Sequence, residues 1–137
     1  MRIVIDTNVL ISAAFFGGKP ETLFLKIKDK HMNTYISLEI QNEYIEVFNR
    51  MRLKIIHPRK NSEKWFDYIL KVSTPIKPSH FSYECRDPKD NKFIDCALSA
   101  NTDFIITGDN DLLVLKQIES TKIVTVDEFL NLFVKNN

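Results

Sequence analysis

A short apolar run that stops at a carboxylate is the feature of this chain that most constrains its fold. Ile3-Val4-Ile5 leads directly into Asp6, followed by Thr7-Asn8. The pattern returns near the other end, where Phe104-Ile105-Ile106 precedes Thr107-Gly108-Asp109. Short runs rich in β-branched residues, with turn residues after them, are typical of buried strands in a parallel sheet.

The two runs predict that negative charge collects at one edge of this sheet. The carboxyl ends of the strands form the ligand crevice in open α/β sheets. Carboxylates brought together there raise one another's pKa and are unstable as a fully ionised cluster unless a cation compensates them. Hard divalent cations with oxygen ligands, above all Mg²⁺, supply that compensation. The sequence therefore predicts a metal site.

Composition permits this prediction without requiring it. The chain has 137 residues, 44% of them hydrophobic and 27% charged, which is ordinary for a globular protein. A net charge of +1 gives no overall attraction to nucleic acid or membranes, so an anionic partner needs a local basic patch or a metal. We expect one domain over residues 1–137, cytoplasmic and without membrane association, because no signal peptide or spanning segment is recognisable. Cys85 and Cys96 lack metal-ligand spacing and suit a reducing compartment.

Local patterns predict alternating strands and helices along the whole chain. Pro20 suits the first position of a helix, Ser37 suits the N-cap of the next, and Thr125 and Glu128 have the spacing of a capping box. The predicted strands cover 2–6, 33–36, 104–107 and 122–126. The predicted helices cover 8–15, 20–30, 37–51, 62–71, 90–100 and 110–115, with a terminal helix after residue 125. Strands alternating with helices indicate crossover connections and an α/β fold: a three-layer α/β/α sandwich with a mostly parallel central sheet.

Further acids lie at positions from which the fold could bring them to the same edge of the sheet as Asp6 and Asp109. Glu43 borders the buried stripe of its helix, three or four residues from Ile40 and Val47. Asp90 opens a helix, and Asp87 precedes it in the same loop. Each acid also has an ordinary interpretation. Asp6 and Asp90 would be helix caps, Asp109 and Asp111 turn formers, and Glu43 a solvated helix residue.

Taken together, these motifs resemble the PIN domain family of nucleases. The resemblance rests on Asp6-Thr7-Asn8, on Glu43, and on two longer motifs, Arg86-Asp87-Pro88-Lys89-Asp90-Asn91 and Thr107-Gly108-Asp109-Asn110-Asp111. The last two motifs are similar to those of bacterial toxins from toxin–antitoxin pairs. The similarity runs from the first strand to the terminal helix, and the order and spacing of the motifs make it specific.

The resemblance implies a ribonuclease that depends on Mg²⁺ or Mn²⁺. The family's acids fall on Asp6, Glu43, Asp90 and Asp109, with the metal held by Asp6, Asp90, Asp109 and Asp111. Supporting roles fall on Thr7, Asn8, Asp87, Asp95 and Thr107. Asp87, Asp90 and Asp95 compete for the third acid position. Asp90 is favoured over Asp95, which lies about 140° further around the helix.

The remaining features bear on partners. Basic residues cluster around Pro58 and are expected either to be solvated or to contact an RNA backbone: Arg50, Arg52, Lys54, Arg59 and Lys60. Phe15 and Phe16 belong either to the core or to a protein-binding surface. The resemblance also implies an RNA substrate, an antitoxin partner and a homo-oligomer. The alternatives that stay open are an RNA-processing or DNA flap nuclease with the same acids, and a catalytically silent binding module.

Overall fold

A computed structural model describes residues 1–55, 59–79 and 87–134. Along most of the chain each strand is followed by one or two helices, as the apolar patterns predict. The strands are β1 (Arg2–Ile5), β2 (Asn33–Ile36), β3 (Thr74–Pro75), β4 (Phe104–Ile106), β5 (Gln117–Ile118) and β6 (Thr121–Val124). The helices are α1 (Thr7–Phe15), α2 (Gly18–Asp29), α3 (Leu38–Lys54), α4 (Glu63–Val72), α5 (Asn91–Ser99), α6 (Asn110–Leu113) and α7 (Val126–Asn131).

The sheet has the order β3-β2-β1-β4-β6-β5 and is parallel except for the β5–β6 pair. The fold is a mostly parallel α/β sandwich, which confirms the predicted class. β1 lies between β2 and β4, with Ile5 opposite Ile106 in the register. Because β1 and β4 run in the same direction, the residues that follow them emerge side by side. Asp6 and Thr107 therefore lie at one edge of the sheet.

The central strands are buried on both faces. Ile3, Val4, Ile105 and Ile106 are each at most 1% exposed, which accounts for their uninterrupted apolar runs. Helix α5 packs against β1, β2 and β4, so its position relative to the strand ends is fixed by the core. A second cluster joins α1 and α3 through Phe15 and Phe48, whose rings lie 5.1 Å apart.

Two predicted caps are confirmed. The Ser37 hydroxyl accepts a hydrogen bond from the Ile40 amide at 3.2 Å, and Thr125 and Glu128 form a reciprocal capping box. The prediction for Pro20 was wrong, since α2 begins two residues earlier at Gly18. Gly17 and Gly18 both have positive φ and supply the sharp turn from α1 into α2.

Other boundaries also differ from the predictions. A 3₁₀ turn at Pro88–Asp90 precedes α5, where the sequence predicted one helix from residue 90. The short strand β5 was not predicted, because a two-residue edge strand has too little periodicity to detect. Helix α3 extends past the predicted end at residue 51 to Lys54. Ile56, His57 and Pro58 lie outside the described residues, as do His80, Cys85 and Arg86.

Candidate active site

A buried threonine joins the ends of the two central strands. Thr107 follows β4 and is completely buried. Its hydroxyl donates a hydrogen bond to Oδ2 of Asp6 at 2.6 Å and accepts one from the Asp109 amide at 2.9 Å. This pair of bonds holds the Asp6 carboxylate and the Asp109 backbone in fixed relative positions.

The cap interpretation of Asp6 and Asp90 fails, whereas Asp87 and Asp109, for which no cap was predicted, do form caps. Asp6 and Asp90 occupy the N-cap positions of α1 and α5, but neither side chain makes a capping hydrogen bond. Asp109 does cap α6, accepting from the Asp111 amide at 2.9 Å, and Asp87 accepts from the Lys89 amide at 3.0 Å. The side chains of Asp6 and Asp90 are thus directed to contacts other than their own helix ends.

Three carboxylates converge closely enough to share one cation. Oxygen atoms of Asp87, Asp90 and Asp111 all lie within 4.8 Å of one another. Oδ2 of Asp90 is buried and has no hydrogen-bond partner. A buried polar atom without a partner is costly, and a convergent set of carboxylate oxygens suits a hard divalent cation. These residues fit a Mg²⁺ or Mn²⁺ ion.

Burial and mutual repulsion perturb the acids around this group. The pKa of Asp6 is raised from 3.8 to about 6, chiefly by burial and further by the charges of Glu43 and Asp109, against the lowering effect of the Thr107 hydrogen bond. The pKa of Asp90 is raised to about 7 by burial, by a hydrogen bond of its protonated form to Asp109, and by the charges of Asp109, Asp6 and Asp87. Asp6 and Asp109 therefore lie electrostatically close to the three converging acids.

Glu43 lies beside these acids but has its own partners. Its Oε2 accepts a hydrogen bond from the Thr7 hydroxyl, and its Oε1 lies 2.6 Å from the ammonium group of Lys92. Sequence reasoning missed Lys92. The available signal was its position two residues after Asp90 at the start of α5, which places a cation next to the acids.

Two further predicted residues have other surroundings. Asn8 is exposed and lines a pocket of about 310 Å³ together with Ser12, Thr107 and Gly108. Asp95 is in the middle of α5 and does not belong to the group of converging oxygens. Among the three candidates for the third acid, the fold thus brings Asp87 and Asp90 together.

The basic residues around Pro58 are divided among different surroundings. Arg50 lines a groove of about 540 Å³ beside Glu43, together with Lys89 and Lys92. Arg59 is held by Glu21 at 2.7 Å and by the carbonyl of Ala13 at 3.3 Å. Lys60 lines a small separate pocket, Arg52 lies over the Phe48 ring, and Lys54 is exposed at the end of α3. Arg50 is therefore the member of this cluster that lines the groove beside Glu43.

The two neighbouring phenylalanines, Phe15 and Phe16, also differ in their surroundings. Phe15 is 4% exposed and belongs to the cluster between α1 and α3, whereas Phe16 is 68% exposed.

Among the described residues, no helix combines the length and apolarity needed to cross a lipid bilayer.

The chain matches a family model and is similar to a protein of comparable length. A family model described as a PIN domain matches residues 2–111. The uncharacterized protein MJ1680 of Methanocaldococcus jannaschii is 31% identical over 145 residues, which cover 98% of this chain and 93% of that protein.

A solved structure shares the fold at low identity. The crystal structure of VapBC2 from Rickettsia felis bound to a DNA fragment from their promoter contains a chain that matches with a TM-score of 0.58 and 15% identity. The match covers 91% of this chain and 98% of that one. The family match spans β1, the acids at the strand ends and the start of α6, and the converging acids lie within it. The protein described here belongs to the PIN domain family.

Proposed function

We propose that this protein is an endoribonuclease that hydrolyses RNA phosphodiester bonds and depends on Mg²⁺ or Mn²⁺. The observation that carries the proposal is the buried, unpartnered Oδ2 of Asp90, which faces a group of carboxylates at the carboxyl edge of a PIN-domain sheet. A buried carboxylate oxygen without a hydrogen-bond partner is costly, and a bound cation would supply the missing ligand bond.

The acids divide into two roles in this proposal. Asp90 and Asp111 hold the cation, with Asp87 contributing from the same loop and Asp6 and Asp109 bordering it. A bound cation supplies positive charge that offsets the phosphodiester and acidifies a water molecule. Thr107 keeps Asp6 oriented through its 2.6 Å hydrogen bond. Glu43, held by Thr7 and Lys92, is positioned to orient the attacking water.

The groove beside Glu43 is the proposed path of the RNA backbone. Arg50, Lys89 and Lys92 line it beside Glu43, where they would contact phosphates that flank the scissile bond. Because phosphate contacts release counterions, binding is expected to weaken as salt rises. Arg59 contributes less to this path, since its guanidinium group is already bonded to Glu21.

The protein is further proposed to act in the cytoplasm as the toxin of a toxin–antitoxin pair, inhibited by a cognate antitoxin and assembled as a homo-oligomer. Support comes from the motifs around Asp90 and Asp109 and from the similarity of the fold to a chain of VapBC2, which was solved with promoter DNA. Co-expression with a protein encoded by an adjacent short reading frame tests this. Toxicity that such a protein relieves supports the assignment, and an absence of toxicity contradicts it.

The test of the nuclease is cleavage of single-stranded RNA and DNA by the purified protein with Mg²⁺, with Mn²⁺ and with EDTA. We expect RNA cleavage that requires metal and is lost in Asp90→Asn. The matched control is Asp95→Asn, which makes the same change on α5 outside the converging acids. Cleavage restricted to DNA would favour a flap nuclease. Absence of metal binding would favour a silent binding module.

A further inference from the structure

The contacts of Glu43 give this acid a different role from the three converging acids. Both of its oxygens are engaged within the protein, Oε1 by the Lys92 ammonium group and Oε2 by the Thr7 hydroxyl. The converging group consists of Asp87, Asp90 and Asp111 and does not include Glu43. We propose that the Lys92 ammonium group occupies the position at Glu43 that a second divalent cation would otherwise take. The protein without RNA then holds a single divalent cation. This inference rests on the proposed metal dependence.

The Lys92–Glu43 pair is placed to persist in solution. The Lys92 side chain is 16% exposed and the Glu43 side chain 26% exposed, with 2.6 Å between Nζ and Oε1. An ion pair shielded from water to this degree is screened less by salt than one on an open surface. By contrast, the Arg50–Glu46 pair in the same groove is 3.4 Å long, and its side chains are 52% and 72% exposed.

The position of the pair links it to the acids on both sides. Lys92 lies two residues after Asp90, and Thr7, the other partner of Glu43, directly follows Asp6. The charge of Glu43 acts on Asp6, so Glu43 lies within the electrostatic range of the cation site. A divalent cation that used Glu43 as a ligand would have to displace Lys92 and meet its positive charge at close range.

Lys92 therefore acts as a positioning residue. It neutralises Glu43 in place and keeps that carboxylate pointing at Thr7, beside the cation site and outside the ligand set. When Lys92 is replaced by a neutral residue, Glu43 regains an uncompensated charge next to Asp6. A carboxylate in that state attracts a second cation.

The test is the number of Mn²⁺ ions bound, measured by titration calorimetry and by electron paramagnetic resonance of free Mn²⁺. We expect one ion for the unaltered protein, two for Lys92→Gln, and one for Lys92→Arg, which keeps the charge. The double variant Lys92→Gln/Glu43→Gln is expected to return to one ion. Lys89→Gln is the matched control, because Lys89 lines the same groove while no ion pair between described residues joins it to Glu43.

The outcomes separate this inference from the proposed function. The inference is overturned if the unaltered protein and Lys92→Gln bind the same number of Mn²⁺ ions with the same affinity. It is also overturned if the unaltered protein binds two ions. An equal effect of Lys89→Gln also overturns it, because a general change of charge then suffices. In each of these cases, metal-dependent cleavage of RNA by the unaltered protein leaves the proposed function standing. An unaltered protein that binds no Mn²⁺ overturns the proposed function itself.

Discussion

Replacing Asp6 by asparagine is expected to stabilise the metal-free protein at neutral and alkaline pH. Asp6 is 4% exposed, and the Thr107 hydroxyl donates to its Oδ2. Burial, together with the charges of Glu43 and Asp109, raises the pKa of Asp6 to about 6. Asparagine has nearly the same shape and keeps an oxygen that accepts from Thr107, while it carries no charge.

The sign of the effect follows from proton binding. Between about pH 4 and pH 6 the folded protein keeps a proton on Asp6 that the unfolded chain has released. Stability of the metal-free protein therefore falls as the pH rises through this window. A pKa raised from 3.8 to about 6 corresponds to a full loss of about 3 kcal/mol. About 2 kcal/mol of it falls between about pH 4.5 and about pH 8, because the unfolded carboxyl group is already largely ionised at the lower pH.

The assay is urea unfolding in EDTA at these two pH values, followed by fluorescence. Trp65 is the single tryptophan and is 2% exposed, so its emission reports unfolding. Asp6→Asn should gain about 2 kcal/mol relative to the unaltered protein on going from the lower to the higher pH. Comparing the two pH values cancels any constant effect of the amide group.

Asp67→Asn is the control, since Asp67 is an exposed carboxylate on α4 and its replacement should add no such gain. Saturating Mg²⁺ should remove the advantage of Asp6→Asn, because the cation offsets the charge that the asparagine eliminates. If the stability difference between Asp6→Asn and the unaltered protein were the same at both pH values, the argument from burial and repulsion would be refuted.

Three further predictions concern other parts of the site and the fold. Thr107→Val removes the hydrogen bond that lowers the pKa of Asp6, so NMR titration of the metal-free variant should find this pKa higher than in the unaltered protein, and an unchanged value would contradict the assigned contact. Ser37→Ala removes the N-cap of α3 and should lower the free energy of unfolding by about 1 kcal/mol; a neutral result in urea unfolding would show that the cap is dispensable. Mg²⁺ at about a hundred times its dissociation constant should stabilise the unaltered protein by about 2.7 kcal/mol, and Asp90→Asn should lose most of this gain in thermal unfolding.

The strands and their carboxylates were predictable because the signals are local. Ile3-Val4-Ile5 and Phe104-Ile105-Ile106 are short apolar runs with turn residues after them. Such a run is the main sequence signature of a strand that is buried on both faces. Parallel pairing then places Asp6 and Thr107 at one edge, whatever the details of the loops. The caps at Ser37 and Thr125 were predictable for the same reason, since a cap depends on residues within one turn of the helix.

The partner of each carboxylate was decided only by the tertiary structure. From the sequence, Asp6 and Asp90 were acceptable as helix caps and Asp109 as a turn former. In the fold Asp109 caps its helix, whereas Asp6 contacts Thr107 and Asp90 has a buried oxygen without a partner. Asp87 proved to lie with Asp90 and Asp111, a grouping that spacing along the chain did not single out. The Lys92–Glu43 pair joins residues 49 positions apart on α5 and α3. Sequence patterns extend over a few residues, so they determined which acids reach the edge of the sheet, while packing of distant helices determined which of them converge.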